Sequence, residues 1–261
     1  MRIVTVSLDQ IWEDKESNIK QIKRLMLDIS HVDPDLVIFP EMTLTGFTMN
    51  AETMSEDLSH SQTIEFFSHL AVEYNTTIAF GVILKTREKP TNNLAVVSSG
   101  GSVMARYEKI HPFSYSGESD CYSKGEDVVY LKIKDFTVGL TICYDLRFPE
   151  LYQTLSKHCD TIINIANWPA RRVADWMLLL HARALENQCY MIGVNRTGID
   201  GKGLEYAKSS AVIGPKGIDV KSTSMNDIVD VFEIEKNEVD SYRESFPVKN
   251  DRRIGLYKEF L

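Results

Sequence analysis

Residues 139–152 read GLTICYDLRFPELY, and how this stretch is parsed decides the fold. Gly139, Leu140, Thr141 and Ile142 form an apolar, β-rich run that delivers one cysteine, Cys143. Tyr144, Asp145 and Arg147 follow at once. Pro149-Glu150 then reads as the first turn of a helix, where proline's fixed φ and an acid's charge are both favoured. The stretch therefore predicts a strand, a corner carrying a lone thiol, and a helix.

Outward from that corner, strand-like runs recur at Ile3–Leu8, Leu36–Phe39, Thr77–Leu84, Leu94–Ser98, Val128–Ile133, Thr137–Cys143, Thr161–Ala166, Tyr190–Asn195, Ser210–Ile213 and Ile228–Ile234. Helical spacing appears in 15–30, where Ile19, Ile22, Leu25, Met26 and Ile29 recur on one face. Further helices are predicted over Thr63–Tyr74, Pro149–Lys157 and Ala174–Asn187. Between 76 and 142 the pattern shifts to strands joined by short turns such as SSGGS (98–102), which is hairpin chemistry. Parallel βαβ units alternating with hairpins give a mixed sheet, or a pair of sheets, covered by helices. No linker, repeat or low-complexity tract divides residues 1–261, so one α/β domain is expected. The helix VADWMLLLHARALEN (173–187) is apolar around most of its circumference, which predicts deep enclosure or a subunit interface. His181 within it reads as a structural histidine.

The formal charge of −8 argues against nucleic acid or an anionic membrane as the main partner. No apolar span of membrane-crossing length occurs, and the N-terminus MRIVTVSLDQ lacks the features of a signal peptide. Cys121, Cys143, Cys159 and Cys189 have no CxxC spacing, so free thiols in a reducing cytoplasm are expected. The histidines form no HxH or HExxH pattern, and no metal site or cofactor is predicted.

Cys143 is matched by two other strand ends. DLVIFPEM (35–42) ends in Pro40-Glu41, and ARYEKIHPF (105–113) carries Lys109 after an alternating strand. A neutral thiol needs a base or a positive neighbour to become a nucleophile. A carboxylate in an apolar pocket can accept and return a proton, and a fixed ammonium can stabilise an oxyanion. Together they would supply acyl transfer from an amide through a thioester.

The segments FPEM, YEKIHPF and ICYDLRFPELY, in that order, resemble the three signature segments of the nitrilase superfamily of carbon–nitrogen hydrolases. The likeness continues through ANWPARR (166–172), HARALENQCYMIGVNRTG (181–198), SSAVIGPKG (209–217) and YRESFPVKNDRR (242–253). The phrasing CYDLRFPE and NWPA…R is closest to the omega-amidase branch. The resemblance implies a four-layer α-β-β-α sandwich, commonly dimerised through helices. It maps the general base onto Glu41, the oxyanion lysine onto Lys109 and the nucleophile onto Cys143, with no cofactor. Glu118, in SYSGESD (114–120), is the best match for a further glutamate and Glu126 a poorer one. The backbone N–H of Tyr144 would join Lys109 in the oxyanion hole, with Asp145 and Arg147 bracing the corner.

An omega-amidase acts on the terminal carboxamide of a small α-keto acid such as 2-oxoglutaramate or 2-oxosuccinamate, and that anion calls for an arginine. Arg172 is the first candidate by its place in the motif, with Arg171 beside it and Arg196 next in line. Phe47, Tyr115 and Trp168 are expected as apolar walls. The alternatives are a nitrile, an N-carbamoyl amine, an aliphatic or free-amino amide, deaminated glutathione in a longer cleft, or a catalytically idle scaffold.

Overall fold

The computed structural model describes residues 1–260. Its strands are β1 (Arg2–Val6), β2 (Leu36–Ile38), β3 (Thr77–Leu84), β4 (Thr91–Val97), β5 (Val103–Glu108), β6 (Tyr130–Ile133), β7 (Phe136–Ile142), β8 (Thr161–Ala166), β9 (Tyr190–Asn195), β10 (Gly198–Ile199), β11 (Glu205–Tyr206), β12 (Ala211–Ile213), β13 (Thr223–Asn226) and β14 (Val229–Glu233). One sheet runs β13-β14-β1-β2-β3-β4-β5 and the second runs β12-β9-β8-β7-β6, while β10 and β11 form a separate hairpin.

Connection type follows from sequence. The pairs β1–β2, β2–β3, β7–β8 and β8–β9 are parallel. Each is bridged by a helical segment: Lys15–Ser30, Gln62–Glu73, Pro149–Leu155 and Val173–Asn187. A parallel return must cross the sheet and needs a helix to cover it. The other pairs within the two large sheets are antiparallel.

Alternation along the strands builds the layers. On β3, Ala79 faces the second sheet, joining Ile38 and Leu94 against Leu140, Ile163 and Ile192. Its neighbours Ile78 and Phe80 point the other way, onto Ile22, Met26 and Phe67 of the helices. On the far side, Ile162 and Met191 meet Leu155, Trp176 and Leu180. Strands covered on both faces read as continuous apolar runs. The result is the expected single-domain, four-layer α-β-β-α sandwich.

The long helix Val173–Asn187 is a partial exception to expectation. It buries Trp176, Leu180, Ala184 and Asn187 on one face. The opposite face leaves Leu178 70% and Leu185 51% exposed, so enclosure within the chain is one-sided. Several elements escaped the sequence reading, the short β10 and β11 strands among them, and two show why. Helix Lys236–Ser245 buries only Val239 and so lacks an apolar stripe, and β13 (TSMN) is a polar edge strand.

Candidate active site

Three strand ends converge where the sheets meet. Glu41 follows β2, Lys109 follows β5 and Cys143 follows β7. The Glu41 loop passes very close to β3: a Cβ on Gly81 would lie 2.1 Å from the Met42 nitrogen. Only glycine allows that approach, which seats the Glu41 carboxylate in the interior. Gln10 fixes the same loop by donating from Nε2 to the carbonyls of Glu41, Met42 and Thr43.

Cys143 adopts φ 47°, a left-handed conformation unfavourable for a side chain. Asp145 holds the strained corner. Its Oδ2 accepts from the Ile142 N–H at 2.9 Å and from the Tyr107 hydroxyl at 2.7 Å. Its Oδ1 accepts from the His111 N–H at 3.1 Å and lies 2.8 Å from His111 Nδ1. The Lys109 segment and the Cys143 corner are thereby clasped through one buried carboxylate.

The charged groups form a closed cluster. Lys109 Nζ donates to Glu41 Oε1 at 2.9 Å and to Glu118 Oε1 and Oε2 at 3.0 and 2.8 Å. Glu118 Oε2 also accepts from the Phe113 N–H at 2.6 Å, and Glu41 Oε2 from the Asn167 N–H at 2.9 Å. All three side chains are buried, at 0–1% exposure. Burial opposes the Lys109 ammonium, but the charges of Glu118 and Glu41 outweigh it and hold it well above the ordinary lysine range. Burial likewise raises Glu118, with Lys109 pulling the other way. The Cys143 thiol is pushed well up, first by burial and then by the charge of Glu41, against the pull of Lys109. A thiol so placed stays protonated at neutral pH and needs a base at the moment of attack.

Beside this cluster lies a cavity of about 510 Å³. Cys143 and Tyr144 border it, while Glu41, Lys109 and Glu118 lie behind them. Phe47 and Trp168 line the cavity with apolar surface. Arg172 faces the cavity with its guanidinium 5.4 Å from the Phe113 ring. Burial and then the charge of Arg171 lower its pKa.

Some expectations are corrected. Tyr115 borders the cavity but is 84% exposed, so it stands at the mouth and is not a closed wall. Arg196 does not border the cavity. It is fully buried behind Tyr206, with its guanidinium 4.6 Å from that ring. Its Nε donates to the Thr197 carbonyl at 3.0 Å, and its Nη2 to the Gln10 carbonyl at 3.0 Å and to Asp9 at 3.4 Å, while Nη1 is buried without a partner. Arg147 pairs with Asp175 at 2.7 Å, as a brace should, yet it also borders the cavity, 5.1 Å from the Trp168 ring. Glu126 is exposed, and His181 contacts the Gly217 carbonyl at 3.0 Å, outside the cavity.

Sequence reading missed Asn92, Phe113, Asn167, Leu204 and Tyr206. Asn167 could have been found as the neighbour of Trp168, whereas Asn92 lies in the polar start of β4, Thr91-Asn92-Asn93, where nothing local marks it. Leu204 and Tyr206 come from the β10–β11 hairpin, whose placement no local pattern reveals.

No group of His, Cys, Asp and Glu among the described residues is arranged to hold a metal. No helix among them is long and apolar enough to cross a membrane. Residues 2–244 match the family model for carbon–nitrogen hydrolases. The chain is 32% identical over 252 residues to omega-amidase YafV of Escherichia coli K12, covering 96% of each. It is 31% identical over 255 residues to a 2-oxoglutaramate amidase of Paenarthrobacter nicotinovorans, covering 93% of this chain and 85% of that one. Among solved structures, a superfamily protein from Xanthomonas campestris with an arsenic adduct in its active site superposes with a TM-score of 0.90. That protein is 30% identical, with 97% of each chain covered.

Proposed function

The chain belongs to the carbon–nitrogen hydrolase family and acts on amides, and from that premise we propose that its substrate is the terminal carboxamide of a small α-keto acid amide, 2-oxoglutaramate or 2-oxosuccinamate. One observation carries this reading: Cys143 and Arg172 face the same cavity. Asp175 is engaged by Arg147, which leaves Arg172 with no carboxylate partner among the described residues. A half-buried guanidinium between aromatic walls suits the carboxylate of such a substrate.

In this mechanism Cys143 Sγ attacks the amide carbon while its proton passes to Glu41. Oε1 of Glu41 already accepts from Asn92 and Lys109, whereas Oε2 accepts only from the Asn167 N–H. Oε2 therefore has the lone pair to take the proton. The oxyanion is stabilised by Lys109 and the Tyr144 N–H, and Glu118 anchors the ammonium. Collapse of the intermediate breaks the C–N bond, Glu41 returns the proton, and ammonia leaves a thioester. Glu41 then takes a proton from water as it attacks, and the released thiolate recovers that proton.

The cavity volume favours one second reading: deaminated glutathione, a longer amide with another anionic end, for which Arg147 or Arg171 would be the extra anchor. Ammonia release from 2-oxoglutaramate, deaminated glutathione, glutamine and a neutral aliphatic amide decides between them. Preference for the short keto acid amide supports the first reading, and preference for the longer one replaces it.

The proposal extends to assembly and location. The outer face of helix Val173–Asn187, with Leu178 and Leu185 exposed, is the surface on which a homodimer would pack. A monomer by light scattering would reject this. The four unpaired cysteines fit a reducing cytoplasm.

A further inference from the structure

Asn92 lies on β4, opposite Ile83 of β3, and its carbonyl accepts the backbone N–H of Lys109 at 2.9 Å. It is 1% exposed, in a strand whose every residue is buried. Its amide nitrogen sits between two carboxylates, donating to Glu41 Oε1 at 2.7 Å and to Glu118 Oε1 at 3.1 Å. Those are two of the oxygens that Lys109 Nζ grips. The other half of the amide is left wanting: Asn92 Oδ1 is buried with no hydrogen-bond partner. Burying an unpaired acceptor is costly, so the orientation is set by the value of the donor side.

We propose that Asn92 is a positioning residue for hydrolysis, whose amide keeps Glu41 and Glu118 side by side as carboxylates. Two buried carboxylates sharing one ammonium leave the cluster with an excess negative charge, and like charges in close contact drive one of them to take a proton. The groups facing the pair are Lys109 at the end of β5, Cys143 at the corner after β7, and Tyr122 beyond the Glu118 turn. Among these, only Lys109 carries positive charge. The amide nitrogen of Asn92 supplies the second set of N–H dipoles without adding a titrating group. Its removal makes the pair as a whole take up a proton more readily, and a pair that already holds a proton cannot accept another from the thiol. The inference rests on the reading of Glu41 as the base.

The test is the pH profile of kcat/KM for an amide substrate in wild type, Glu41→Gln and Asn92→Ala, with folding checked by circular dichroism. A wild-type acid limb that disappears, with the activity, in Glu41→Gln establishes the base independently of Asn92. On that background, Asn92→Ala is expected to move the acid limb to higher pH by about one unit, because one charge-assisted hydrogen bond to a carboxylate is lost. Activity should fall roughly tenfold below the limb and recover partly at alkaline pH, with KM little changed. Asn92→Ser, which keeps a short donor, is read in the same way if the alanine variant does not fold. An acid limb that stays in place in the folded variant overturns the role of Asn92 while leaving Glu41 as base. A uniform fall at all pH values also overturns it, because that is what a purely structural loss produces.

Discussion

Lys109 Nζ lies within hydrogen-bonding distance of both oxygens of Glu118, at 3.0 and 2.8 Å, but of only one oxygen of Glu41, at 2.9 Å. The two acids are therefore not equivalent. Glu118 is committed to the lysine and to the Phe113 N–H, whereas Glu41 keeps one oxygen, Oε2, that accepts only the Asn167 N–H.

Glu118→Gln should therefore slow acylation. The amide preserves the shape but offers only one carbonyl oxygen to Lys109 and the Phe113 N–H, and its NH2 group meets donors. Loss of an anchoring partner of this kind costs roughly 10- to 100-fold. Single-turnover kinetics measures it, and an unchanged acylation rate would return Glu118 to a purely structural part.

Cys143→Ala should remove amide hydrolysis by three orders of magnitude or more, on the scale of losing a nucleophile. Backbone geometry adds a second expectation. At φ 47° alanine keeps the strain and glycine relieves it, so Cys143→Gly should exceed Cys143→Ala in unfolding free energy by about 1 kcal/mol. Thermal or denaturant unfolding of the two inactive variants gives the comparison. Equal stabilities would mean that the corner carries no strain.

Arg172→Ala should raise KM for 2-oxoglutaramate far more than for a neutral aliphatic amide. In wild type, glutamine carries an ammonium that aromatic walls and a nearby guanidinium do not pair, and a stranded charge is costly. Discrimination of about 2–4 kcal/mol, or roughly 30- to 1000-fold in kcat/KM, is expected for the keto acid amide over glutamine. Equal efficiency on glutamine would end the omega-amidase reading. An anionic preference surviving in Arg172→Ala would move the carboxylate site to Arg147 or Arg171, since these border the cavity and Arg196 does not.

Lys249 gives a pH dependence of stability. Burial, followed by the charge of Arg243, lowers its pKa to about 8, and its ammonium donates to the Ser156 carbonyl at 2.7 Å. The ordinary lysine value in the unfolded chain is about 10.4. Between these pH values the unfolded state binds more protons, so the contribution of Lys249 to stability rises with pH from about 8 upward and is least favourable below it. Lys249→Met should flatten that rise. A melting temperature with the same slope from pH 8 to 10 in both proteins would show that the lysine is not perturbed.

The sequence by itself settled the central strands and the helices between them, since apolar runs at Thr77–Leu84, Thr161–Ala166 and Tyr190–Asn195 recur as strands with the same bounds. These strands are buried on both faces, so local composition and final environment agree. It also singled out Glu41, Lys109 and Cys143, because an ionisable group at the end of an apolar strand is locally conspicuous. Glu118 could be named only through the family likeness, as its segment carries no such signal.

Tertiary structure decided the rest. The sequence ranked Arg172 first by its place in the motif, with Arg196 next in line, but it gave no environment to separate Arg171, Arg172 and Arg196. Arg196 is separated from the others only by its burial behind the β10–β11 hairpin. Asn92 was invisible as a functional group because an asparagine in a strand has no meaning until two carboxylates from distant segments, 51 and 26 residues away, arrive at its nitrogen. Local pattern records what a segment buries. The partners that a buried polar group finds depend on how separate segments are brought together, and that information is carried by the packing of the two sheets.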